Sequence, residues 1–203
     1  KPVDREWETT AGAMNRYDAY ALEAALRLRS AGRVSRIDAV SVGAGAADAV
    51  LRRAIGMGAD HGAHIQRAPQ AFPSPFTIGG LIASYAQERA YDLILCGVMS
   101  EDLMQGQVGP VVAGLTQRPC LTAVHTLGHS TRAGRLRCAR EVEGGRQEIL
   151  EIELPALVSI QSGLYPPRYP ALSKLLRANH YPLEVIPAGS QVAIAERQRA
   201  CML

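Results

Sequence analysis

Two glycine-bearing turns are the parts of this sequence best suited to holding a small ligand. The first, Gly43-Ala44-Gly45-Ala46-Ala47-Asp48, closes a run of alternating apolar residues and approaches the G-x-G-x-x-G pattern. Its third glycine is Asp48, whose carboxylate suits a helix cap better than a pyrophosphate neighbour, so a standard NAD fingerprint is not expected. The second is Gln105-Gly106-Gln107-Val108-Gly109-Pro110. Its glycines let a backbone approach a ligand closely, and Pro110 is tolerated in the first turn of the helix that follows. Free N–H groups and the positive dipole end of that helix suit a phosphate; an ordinary helix start with turn glycines would read the same. Ligands of open α/β sheets bind over the carboxyl ends of the strands, so the two turns together predict a nucleotide pocket.

Other chemistries lack their residues. There is no GxxxxGK[ST], HExxH or GxSxG sequence, and no His pair with metal-ligand spacing. His61 and His64 stand beside Asp60, but they flank an expected edge strand, where they would be solvated. No lysine or metal-binding acid completes a phosphoryl-transfer site, which predicts binding without turnover. Cys96, Cys120, Cys138 and Cys201 show no CxxC spacing, and three of them lie in apolar runs, so neither a zinc site nor a disulfide frame is expected.

The 203 residues suffice for one domain, and 47% hydrophobic against 20% charged residues predicts a soluble globular chain. No run of eighteen uncharged apolar residues exists to span a membrane. With aromatics at 5%, the core must come from Ala, Val, Ile and Leu, as in helices packed on a parallel sheet. A net charge of +3 leaves no nucleic-acid footprint, although all but Lys1 and Lys174 of the 22 basic residues are arginine. No signal peptide is visible, which points to the cytoplasm, and the chain opens at Lys1-Pro2-Val3 as though residues upstream were missing.

The elements that would position the turns alternate. Apolar spacing predicts a helix from Met14 to Ser30, started by Asn15 and Asp18, then a strand from Val34 to Val42. That strand should show Ile37, Ala39 and Ser41 on one face, with Asp38, Val40 and Val42 on the other. A helix (Ala46–Met57), a short strand (Ala63–Gln66), a helix (Phe76–Arg89) and a buried strand (Tyr91–Gly97) follow. Such βαβ alternation implies a right-handed, mostly parallel Rossmann-like sheet with helices on both faces, its first strand expected upstream of Val3. Beyond the loop at 98–106 come a helix (Gln107–Leu115), a strand (Leu121–Leu127) and a hairpin within 134–154. A three-residue loop at Gly144–Arg146 would pair Leu136 with Leu154, Cys138 with Ile152 and Arg140 with Leu150. A strand (Ala156–Ile160), a loop at 161–170 and a short helix (Ala171–Arg177) complete a domain over 1–180. Residues 181–203 read as a tail.

Several segments, taken in order over nearly the whole chain, resemble the beta subunit of electron transfer flavoprotein. They are Met14-Asn15-Arg16-Tyr17-Asp18 with Ala21 to Leu28, Val40 to Gly43, Ala54 to Asp60, Asp92 to Gly97 and Gln107 to Pro110. Arg140-Glu141-Val142-Glu143-Gly144-Gly145 and Pro167-Arg168-Tyr169-Pro170-Ala171-Leu172 close the set. Arg16 stands where the family usually has Pro.

The resemblance implies a heterodimer whose alpha subunit holds most of a redox FAD, with the beta subunit binding AMP or, in electron-bifurcating members, a second FAD. It implies an electron carrier without substrate turnover of its own, fed by a flavoprotein dehydrogenase, and a tail that packs on the alpha subunit. By motif match, Asn15, Val42, Gly43, Gly97, Gly106, Gln107 and Val108 would line the nucleotide. Arg140 and Glu141 would approach the alpha subunit's flavin domain. Leu164 and Tyr165 would anchor the dehydrogenase from the proline-stiffened loop, although a leucine there could equally tuck onto its own domain. Arg140, on the apolar hairpin face, should meet an acid, a phosphate or a subunit, because an unpaired buried guanidinium is costly. A stand-alone nucleotide-binding module of the universal-stress type would share the sheet and turns but needs neither hairpin nor Pro-Arg-Tyr loop.

Overall fold

The computed structural model describes residues 12–67, 74–163 and 165–188. Helix α1 spans Arg16–Ser30, and the Asn15 side chain caps it by accepting from the Tyr17 amide. Asp18 in its first turn and Arg27 and Arg29 in its last complement the helix dipole. Strand β1 spans only Asp38–Gly43. It is shorter than the Val34–Val42 run because Ile37 spends its N–H on the Asp60 carboxylate, and the ladder to the next strand opens at Asp38. Helix α2 (Ala47–Met57), β2 (His61–Gln66), α3 (Pro75–Gln87), β3 (Leu93–Gly97) and α4 (Val108–Leu115) continue the alternation. Then come β4 (Cys120–His129), β5 (Arg135–Val142), β6 (Arg146–Glu153), β7 (Ala156–Ile160), α5 (Leu172–Ala178) and β8 (Glu184–Pro187).

The strands hydrogen-bond as two sheets, a parallel one ordered β1-β2-β8 and a mixed one ordered β3-β7-β4-β5-β6. Two helices join them. On one face, α1 contributes Ala21 to a cluster with Ala156, Val158 and Ile160 of β7, and Leu26 to a cluster with Ala54 and Met57 of α2. On the other, α3 packs Leu81 and Tyr85 against Ala63 and Ile65, and Ala83 against Val112 of α4 and Leu157 of β7. Strand β7, covered on both faces, is wholly buried. In β1 the faces divide as expected, Ala39 toward α1 and α2, Val40 and Val42 toward α3.

Three expectations need correction. His61 and His64 lie on β2, the middle strand of its sheet, and His64 is buried rather than solvated. The hairpin closes two residues away from the expected register, pairing Leu136 with Ile152, Cys138 with Leu150 and Arg140 with Glu148. Its loop is Glu143–Gly145 because Gly144 and Gly145 both take positive φ, which lets the chain turn directly after Val142. A shift of two preserves the faces, so Arg140 stays on the expected side but meets an acid. Finally, the segment beyond residue 180 begins as β8, parallel to β2 within the chain's own sheet, while 189–203 lie outside the described residues.

Candidate functional site

The carboxyl ends of β1 and β3 and the start of α1 meet around the segment 12–15. A Cβ on Gly12 would sit 2.6 Å from the Ala46 carbonyl oxygen, so the chain passes hard against the start of α2. Three residues on, the Asn15 amide donates to the Met99 carbonyl at 2.9 Å and to Asp18 Oδ2 at 3.1 Å. Asp18 Oδ1 accepts the Gly97 N–H at 2.6 Å, and the Arg16 N–H goes to Glu101 Oε2 at 2.8 Å. Loop 98–106 is thereby latched onto the start of α1. Burial pushes the Asp18 carboxyl up, Glu101 adds to the rise, and the Gly97 and Asn15 donors partly offset it.

Each candidate nucleotide residue has a definite place in this arrangement. Asn15, Gly97 and Gly106 come together: a Cβ on Gly106 would lie 2.7 Å from the Val98 carbonyl oxygen, and one on Gly97 would lie 2.6 Å from Tyr17 Cβ. The Gly97 amide is already taken by Asp18, so what glycine offers there is close approach of α1. The Gly43 carbonyl is filled as well, accepting from the Arg67 N–H and from His64 Nε2, both at 2.9 Å. His64 Nδ1 faces Asp48 Oδ1 at 2.7 Å, an ion pair when the ring is protonated. Val42 turns its side chain into the α3 cluster. Gln107 and Val108 open α4, Gln107 exposed and Val108 partly packed against the α3–α4 cluster. No side chain caps that start among the described residues, and Pro110 has no N–H, so the Val108 and Gly109 amides are the donors it presents.

The hairpin residues diverge. Arg140 Nε donates to Glu148 Oε2 at 2.6 Å across the β5–β6 ladder, so its charge is balanced within the chain. Glu141, one residue on, is exposed.

Leu164 lies outside the described residues. Tyr165 is half-exposed, with the Arg27 guanidinium 3.6 Å over its ring. The exposed apolar side chains continue beyond it, at Tyr169 (86%), Leu172 (72%) and Leu176 (56%). Sequence reading missed these three. Their signal is the i, i+4 pair Leu172 and Leu176, whose neighbour Leu175 turns inward against Gly56 of α2. It also missed Glu23, an acid within the apolar face of α1, which is buried and ion-paired with Arg168. Burial pushes the Glu23 carboxyl up, but the Arg168 donors and Arg27 outweigh it and hold the group below the usual glutamate range.

Among the described residues no cluster of three His, Cys, Asp or Glu side chains could hold a metal, and no helix is long and apolar enough to cross a membrane. A profile of the electron transfer flavoprotein domain matches residues 7–191. The electron transfer flavoprotein subunit beta of Bacillus subtilis is 36% identical over 172 residues, 84% of this chain and 65% of that protein. The Homo sapiens subunit beta is 31% identical over 191 residues, 92% of this chain and 74% of its own length. That of Syntrophomonas wolfei is 32% identical over 189 residues, covering 90% and 72%. This chain thus spans about two thirds to three quarters of these relatives. With a profile match over most of its length and relatives of this identity, the chain belongs to the electron transfer flavoprotein family, among its beta subunits.

Proposed function

We propose that the chain binds an adenine nucleotide, AMP or the adenine half of a second FAD, in the cleft where Asn15, Gly97 and the start of α4 lie. The observation that carries this reading is the uncapped start of α4 beside Gly106, a site of backbone donors without a catalytic base. Charge supports an orientation. Asp18 and Glu101 gather at the start of α1, so the phosphate belongs at the α4 end, away from both carboxylates. The test is mass spectrometry of nucleotide released by denaturing protein purified with its alpha partner: AMP or FAD supports the pocket, and release of neither refutes it.

The chain then works as the beta half of a heterodimer, an electron carrier without turnover of its own, in which FAD is shared with the alpha subunit. Glu141, exposed at the hairpin end, faces the alpha subunit's flavin domain; Arg140 backs it from the Glu148 ion pair. The donor, a flavoprotein dehydrogenase, docks on the apolar side chains around Pro167-Arg168-Tyr169: Tyr165, Tyr169, Leu172 and Leu176, together with Leu164, next to Tyr165 in sequence. Truncating an anchor such as Leu172 to Ala should cost about 1–3 kcal/mol of donor binding. Unchanged donor affinity in a folded Leu172→Ala heterodimer removes that surface from the reading.

A further inference from the structure

We infer that Glu23 is a positioning residue that presets the donor-docking loop; the inference rests on the docking role proposed above. Glu23 is the one acidic residue among the described residues that is buried as a whole, backbone and side chain together. An unpaired charge there would be costly, so its partners matter. Both oxygens are filled. Oε2 accepts the Arg168 backbone N–H at 3.1 Å and Arg168 Nε at 2.8 Å. Oε1 accepts Arg168 Nη2 at 3.0 Å and Arg27 Nε at 3.1 Å.

The backbone contact separates this from a simple ion pair. A guanidinium fork would satisfy the charge by itself; the additional Arg168 N–H pins the main chain of the loop to α1. Arg27, held by the same carboxylate, turns its guanidinium over the Tyr165 ring. One buried group thus grips the loop at both 165 and 168. The outer side chains Tyr169 and Leu172 stay in solvent, and Pro166, Pro167 and Pro170 restrict the intervening backbone. A surface ordered in advance loses less entropy on binding, which is the benefit Glu23 provides.

The experiment compares wild type, Glu23→Gln, Arg168→Lys and Leu172→Ala, each purified with the alpha partner. The probe donor is an acyl-CoA dehydrogenase reduced by its acyl-CoA, and amide exchange is followed at Tyr165, Arg168 and Tyr169. Glu23→Gln should speed exchange at these amides and raise the donor KM on the order of tenfold, the loss of one charge-assisted contact, with kcat and flavin spectrum unchanged. Arg168→Lys keeps the charge but not the fork, and should fall between it and wild type. It also carries the test on an intact α1 if Glu23→Gln does not fold. Faster exchange with an unchanged KM, while Leu172→Ala raises KM, overturns the positioning role and leaves Glu23 as packing. A Leu172→Ala KM equal to wild type, or a wild type that the probe donor does not reduce, overturns the docking reading instead.

Discussion

Gly97 is glycine because of what a side chain would strike. A Cβ there would lie 2.6 Å from Tyr17 Cβ and 2.8 Å from the Asp18 amide nitrogen, and the second of these is backbone that cannot swing aside. Gly97→Ala must push the start of α1 off β3, breaking the Asp18 contact and the Asn15 bond to Met99 with it. The expected loss is about 1–3 kcal/mol of stability, together with lower nucleotide occupancy. Gly114 is the contrasting case, an exposed helical glycine whose added Cβ would meet nothing within 4 Å. Gly114→Ala in α4 should therefore stabilise by roughly 0.5–1 kcal/mol through helix propensity. Thermal melts of the two variants decide both: a Gly97→Ala protein as stable as wild type refutes the wedge argument, and an unstabilised Gly114→Ala refutes the propensity argument.

At the scale of elements, what the sequence revealed follows the range of the signal. Helix α1 was legible from Asn15 onward because its cap and apolar spacing are local, and β7 was legible to the residue because a strand buried on both faces is a plain apolar run. The hairpin was legible in faces but not in register. Apolar pairs such as Leu136–Ile152 and Leu136–Leu154 look alike in sequence, and the deciding facts, positive φ at Gly144 and Gly145 and the Arg140–Glu148 pair, are set by the folded turn. Strand β8 hid behind Pro182 and Pro187. The Glu23–Arg168 contact spans 145 residues and has no local signature at all. The hairpin geometry leads to a prediction. Arg140 and Glu148 are both partly exposed, so their bond contributes little to stability, and exposed Glu141 contributes less. Glu141→Ala should leave stability within about 0.5 kcal/mol while slowing electron transfer through the alpha subunit's flavin domain. A marked drop in melting temperature with normal transfer would reverse that assignment.

For the whole molecule, carboxylates fasten parts far apart in the chain, and their titration sets how it responds to acid. Burial pushes Glu23 and Asp38 up, but Arg168 on the first and Arg36 with Tyr91 on the second outweigh it, so both sit below their ordinary range. Glu184, at the start of β8, is held down first by the His61 hydrogen bond and also by Arg89. A group lowered on folding stabilises above its unfolded pKa, and that contribution is lost as pH falls through the folded value. Asp18 runs the other way. Its carboxyl is raised by burial, so the folded state binds its proton more readily, and the penalty it carries at neutral pH is relieved on acidification. Melting temperature measured from about pH 7 down to about pH 3 should therefore rise slightly at first. It should then fall once the ordinary carboxylate range is passed, as α1 loses the loop at 165–168 and β8 loses its grip on β2. Asp18→Asn should abolish the early rise, leaving a level stretch, but keep the later fall, since the three lowered carboxylates remain. Glu23→Gln should make the fall shallower. A wild-type curve with no early rise, superimposable on that of Asp18→Asn, would show that the Asp18 carboxyl carries no burial penalty at neutral pH.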